Sequence, residues 1–223
     1  GSWCGAVRGW SWRAGGRSRS RVRRMRRGTL RDTMWPEIQP DFLSHYYEAR
    51  RGPFRNLSHL PSDEAEGLLA RIRQAGTTFA AGRAEDYLQV RRELEDRVRE
   101  LFAAKGGRPM LRRPHYMILG ACGWVKGWYE DGQELRIPLA RFRPEEVSFT
   151  YGDTFPAMRL ADGKPHRGQV YTAAELPGVL QAFGLPQEWN GEGTMGPDRY
   201  IEAQVWSDEA IGAYLQGPAD GRK

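Results

Sequence analysis

The stretch DRYIEAQVW, residues 198–206, decides how the rest of the chain is read. Its residues alternate in character, and a β-strand sends successive side chains to opposite faces. Ile201, Ala203 and Val205 therefore share one face, and Tyr200, Glu202, Gln204 and Trp206 share the other. The first set belongs against a core. The second places a carboxylate in mid-strand among aromatic groups, where acidic side chains persist only if they are paired, solvated or used. Glu202 is either a residue on a solvated face or a catalytic one, with Gln204 beside it.

Upstream of this strand, a capping pair, Thr172 and Glu175, opens a helix through Phe183 that Gly184 closes. Short apolar runs predict further strands at 115–119, 134–137, 147–151 and 167–171. Downstream, Ser207, Asp208 and Glu209 open a short last helix. Toward the N-terminus, FLSHYY (residues 42–47) predicts a strand with Leu43, His45 and Tyr47 on one face. Ser62 and the acids after it start a helix that ends near Gly76. A longer helix over 84–105 carries Tyr87, Val90, Leu94, Val98 and Phe102 at steps of three and four, which is a core stripe. The class expected is α+β: a mostly antiparallel sheet in the C-terminal two thirds, two N-terminal helices packed on it, and a disordered basic segment in front.

That front segment, residues 1–33, holds ten arginines against one acid, Asp32. It has no sustained period and reads as disordered, as a leader ahead of a start at Met34, a nucleic-acid-binding arm or a transit peptide. Residues 34–223 are expected to be a single domain. The chain's charge of +6 lies in the front segment, which leaves the rest at −3. Polyanion binding is therefore expected only through the arginine segment. Two cysteines, Cys4 and Cys122, give no disulfide framework, and no apolar run approaches the roughly 20 residues that span a bilayer. A reducing, cytoplasmic setting without membrane partners is expected. Eight Trp, nine Tyr and eight Phe supply a large buried area, so the body should fold.

The chain contains no phosphate-loop, dinucleotide, zinc-protease or nucleophile-elbow motif, and its four His and two Cys show no zinc spacing. Other candidate groups are His45 within its aromatic strand, the loop RRGPFRN (residues 50–56), where Arg51 and Arg55 suit an anion, and VSFTYGDTFPAM (residues 147–158) with Tyr151 and Asp153 at a strand end.

The segments HYYEARRGPFRNLS, PHYMILG, VSFTYGDTFPAM, GLPQEWN and RYIEAQVW resemble a group of bacterial proteins that brings no activity with it. The order of three of these segments also resembles the ADP-ribosyltransferase fold, in which a first strand carries a His, a middle strand a Tyr or Ser, and a late strand a catalytic Glu. This resemblance implies transfer from NAD, with NAD as substrate. Glu202 would stabilise the oxocarbenium-like state, His45 would hold the ribose and Tyr151 would stack on nicotinamide. Arg51 or Arg55 would meet the pyrophosphate, with Gln204 beside the reacting groups. The chain departs from the family pattern in having Glu202-Ala203-Gln204 where an ExE or QxE pair is usual.

Two other functions fit the same residues. One is a non-catalytic binding or regulatory module whose Trp and Tyr side chains line a partner surface, the target being a macromolecule or a small molecule. The other is a metal-dependent nucleic-acid enzyme that gathers Glu202, Gln204 and Asp153 around a magnesium ion.

Overall fold

In a computed structural model, residues 34–76, 82–129 and 131–215 are described. The expectations for residues 1–33 lie outside them. The five strands are β1 (Phe42–Glu48), β2 (His115–Leu119), β3 (Gly132–Pro138), β4 (Val147–Tyr151) and β5 (Ile201–Val205). They form one sheet in the order β3-β1-β2-β5-β4, and every neighbouring pair is antiparallel. The helices are α1 (Ser62–Ala75), α2 (Tyr87–Ala104), α3 (Gly123–Lys126), α4 (Thr154–Arg159), α5 (Leu176–Phe183), α6 (Pro186–Trp189) and α7 (Gly212–Leu215). The class is α+β. No helix among the described residues is long and apolar enough to cross a membrane.

The alternation in β5 sorts the molecule into layers. Ile201, Ala203 and Val205 meet Leu43, Met117, Leu119, Phe149 and Tyr151 in the main core, which Leu176 and Val179 of α5 close. The opposite face carries Trp206, which packs with Val98 and Phe102 of α2. The 3.6-residue stripe of α2 thus fits the sheet, and full burial of Phe102 means that truncation to alanine would cost roughly 3–5 kcal/mol. Helix α1 packs against α2, where Ala65 and Leu69 meet Leu88. Its C-terminal Gly76 adopts a left-handed conformation and donates its N–H to the Ile72 carbonyl.

Several local expectations change, among them the last helix, which begins at Gly212 and not at Ser207–Glu209. Residues 167–171 form no strand, because only Tyr171 pairs with Phe149, through an isolated bridge. Helix α2 begins at Tyr87, and Ser62 lies inside α1, where its hydroxyl accepts from Arg92 instead of capping the helix. Helix α5 begins at Leu176 with Glu175 at its N-cap, so Thr172 does not cap it; the Thr172 N–H and hydroxyl both donate to the Glu175 carboxylate, and the capping box is only half made.

The start of β5 is held by charge. Asp198 is buried and takes two bonds from the Arg167 guanidinium, at 2.6 and 3.1 Å, and one from Lys164 at 2.8 Å. A charge so enclosed persists because its partners offset the loss of water. This clamp fixes where the alternation of Tyr200, Glu202 and Gln204 begins.

Candidate functional site

The α2-covered face of the sheet contains a cavity of 420 Å³. Its floor comes from the strands, with Tyr116 and Ile118 of β2, Tyr46 of β1, and Tyr200 and Glu202 at β5. Trp124 and Trp128, packed edge to face at 4.7 Å, form one wall, and Tyr87, Arg91 and Phe155 form another. The volume lies in the range of small-molecule sites, and the wall chemistry is aromatic with a few polar groups.

Glu202 is 8% exposed and pairs across the sheet with Ile118 on one side and Thr150 on the other. Helix α4 begins just after β4, so the chain delivers Thr154 directly over Glu202. The Thr154 backbone N–H donates to Oε2 at 2.8 Å, and the Thr154 hydroxyl makes a short bond to the same oxygen. All the hydrogen bonds that Glu202 accepts among the described residues go to Oε2, a long one from the Gln204 amide at 3.5 Å included, and Glu202 lines the cavity.

A line of buried bonds fixes the direction of that hydroxyl. The Trp206 indole can only donate, and it does so to Ser148 Oγ at 2.9 Å. Ser148 must then donate its own proton to Gln204 Oε1, which turns the Gln204 amide nitrogen toward the Thr150 and Thr154 hydroxyl oxygens at 3.0 and 3.1 Å. With its oxygen accepting from Gln204, Thr154 has its proton free to donate to Glu202. Every polar atom of Gln204 is consumed, and Gln204 is absent from the cavity lining. It positions Thr154 and Glu202 instead of meeting a ligand.

Burial raises the Glu202 carboxyl to about 8, the neighbouring Asp153 carboxylate pushes it the same way, and the Thr154 bonds and Arg91 act against them. Because Oε2 is occupied by two donors, the proton of neutral Glu202 sits on Oε1, toward the cavity. Asp153 also lines the cavity. Its Oδ1 caps α4 through the Phe155 N–H at 2.8 Å, and its Oδ2 accepts from the Tyr200 hydroxyl at 3.0 Å.

Of the residues singled out in the sequence, His45 and Glu202 both line the cavity and Tyr151 does not. Tyr151 lies on the opposite face of the sheet, 1% exposed, where its hydroxyl donates to the Phe183 carbonyl at 2.7 Å and accepts from the Trp189 indole. His45 is half-buried. It sits where β1 and β2 part after their one paired position, Ser44 with Ile118, and bonds across the gap. Its Nδ1 lies 2.9 Å from the Tyr116 carbonyl and its Nε2 accepts the Phe54 N–H at 2.9 Å, so the ring is neutral with its proton on Nδ1. Burial lowers its pKa to about 4. Arg51 is held by Glu48 at 2.7 Å, whereas Arg55 reaches the cavity rim.

Among the described residues, no group of three or more His, Cys, Asp and Glu side chains could hold a metal ion. Glu202 and Asp153 are near one another, but the Gln204 oxygen turns away from both, toward Ser148. Sequence reasoning passed over Thr154, Arg83, Arg91, Arg199 and Trp124.

No family model, no curated protein and no solved structure matches the chain.

Proposed function

We propose that this protein is an acid–base enzyme acting on a small ring-bearing molecule in the Glu202 cavity. The observation that carries this reading is the asymmetric setting of Glu202. One oxygen is fixed by both donors of Thr154, and the other accepts no hydrogen bond from the described residues in a side chain that lines the cavity. Such a group is aimed, desolvated and able to exchange one proton with a bound substrate. Its raised pKa, about 8, suits proton transfer near neutrality, since the best catalytic groups titrate close to the working pH. The aromatic walls supply stacking surface, and Asp153, whose Oδ2 already accepts the Tyr200 hydroxyl proton, adds a second acceptor in the cavity lining.

Transfer from NAD, which the resemblance in three sequence segments implies, would use the same carboxylate to stabilise positive charge. Its support is Glu202 in an aromatic cavity with arginines at the rim; Tyr151 would take no part from its place on the other face. A binding module would use the same cavity with Glu202 as a hydrogen-bond donor and no turnover.

The experiment is a ligand panel of NAD, nucleotides, sugars and sugar phosphates, read by thermal shift and then by product formation, on wild type and Glu202→Gln. The expected result is that the variant binds the stabilising ligand and loses at least about 100-fold in turnover. Equal turnover by both proteins would overturn the acid–base role. Binding without turnover in either would favour the module.

A further inference from the structure

Two arginines that line the cavity are arranged alike. The Arg83 guanidinium lies 4.4 Å from the centre of the Tyr87 ring, and that of Arg199 lies 4.3 Å from the centre of the Trp124 ring. All four side chains line the cavity. Neither arginine has an acidic partner among the described residues, in contrast to Arg91 with Glu95, Arg113 with Asp96, Arg143 with Glu209 and Arg167 with Asp198. Stacking engages the flat face of a guanidinium and leaves its N–H edge open, which is the edge that recognises oxyanions. Arg199 spends only its Nε, on the Gly193 carbonyl at 2.9 Å. That contact is built with some care: Gly193 has φ +68° and presses on the Trp124 indole so closely that a Cβ would stand 2.5 Å from its Nε1. Trp124 is thus held between the Gly193 backbone and the Arg199 side chain.

The charge along this lining is one-sided. Arg55, Arg83 and Arg199 face the cavity without acidic partners among the described residues, against Asp153 and a Glu202 whose proton is retained near neutrality. Two open guanidinium forks present more donors than the two oxygens of one carboxylate can take in good geometry, whereas a phosphate offers three oxygens and up to two charges.

We infer that the molecule bound in this cavity is a phosphorylated ring compound, a nucleotide or a sugar phosphate, whose phosphate is held by Arg83 and Arg199 while its ring lies along the aromatic walls toward Glu202. This rests on reading the cavity as a small-molecule site, and it names the substrate class of that site.

The test is calorimetric titration of the full chain with matched pairs, AMP against adenosine and glucose 6-phosphate against glucose, with pyrophosphate as a ring-free probe. One phosphorylated member should bind at least about tenfold more tightly than its partner, and Arg83→Gln and Arg199→Gln should each remove about tenfold of that preference without weakening the unphosphorylated partner. Which pair responds separates nucleotide from sugar phosphate. Arg199→Lys keeps the charge but not the fork, so it should recover less than the full affinity, and unchanged melting temperatures show that the variants fold. The inference is overturned if no phosphorylated probe binds at millimolar concentration, if both members of each pair bind alike, or if the glutamine variants bind as wild type does. Carboxyl titration of Glu202 separates this from the acid–base reading. A normal carboxylate pKa with intact phosphate preference would sink only the latter, and a raised pKa without phosphate preference would sink only the former.

Discussion

Thr154 holds one oxygen of Glu202 with both its backbone N–H and its hydroxyl, while the other oxygen is left to the cavity. The two residues lie 48 positions apart in sequence and meet because β4 runs straight into α4 beside β5. This contact defines which oxygen carries the exchangeable proton, and its removal has a defined consequence. Thr154→Val takes away a donor that favours the ionised form and an acceptor used by Gln204. The Glu202 pKa should rise further above about 8, and stability should fall by about 1–3 kcal/mol because buried polar groups lose partners. Carbon-13 NMR of the carboxyl, with denaturant unfolding alongside, checks both; an unmoved pKa would remove Thr154 from its positioning role.

Glu202→Gln should stabilise the protein, increasingly so toward alkaline pH. The folded pKa of about 8 is raised above the ordinary 4.5, so between these values the folded state keeps a proton that the unfolded state has released. Wild-type stability from this group is fully present below pH 4.5 and is lost as pH rises through about 8. The glutamine variant has no such loss, and the gap should reach on the order of 2–4 kcal/mol. Urea midpoints measured from pH 4.5 to 8.5 will show either a widening difference or, against this account, a constant one.

His45 gives a pH dependence of the opposite sense. Its folded pKa of about 4 lies below the ordinary 6.5, so acid protonates the unfolded chain first. Stability from this ring is complete above pH 6.5 and declines as pH falls through about 4. His45→Gln should unfold more readily at pH 7, because the bonds to Tyr116 and Phe54 are disturbed. Its stability should also fall less steeply between pH 6.5 and 4, by on the order of 1–3 kcal/mol. Parallel pH profiles for the two proteins would show that another group carries the acid response.

Tyr151→Phe should leave every cavity ligand bound as in wild type. The lost hydroxyl bonds the Phe183 carbonyl on the far face of the sheet, so the cost should be about 1 kcal/mol of stability and less than about a twofold change in affinity. A large loss of ligand binding in this variant would put Tyr151 back in the site.

The two faces of β5 were legible because alternation is a local property that a strand imposes on its own residues, and the stripe on α2 was legible for the same reason. Glu202 on the polar face and the α+β class follow from such short-range patterns, as does the contact between Thr172 and Glu175. The role of Tyr151 was not legible. It depends on the register that sets Tyr151 opposite Ile201 and Thr150 opposite Glu202, and register is chosen between strands.

By itself, then, the sequence determined which side chains share a face in β5 and α2 and placed the five strands to within a few residues, while the strand expected at 167–171 does not form and α3, α4 and α6 were not marked. Only the tertiary structure decided that Thr154 and not His45 meets Glu202. It also decided that Gln204 turns inward to Ser148, and that Arg83 and Arg199 arrive from separate loops at one aromatic cavity. Periodicity constrains neighbours along the chain, while these meetings are set by which surfaces bury one another, and that is settled by packing across the whole sheet.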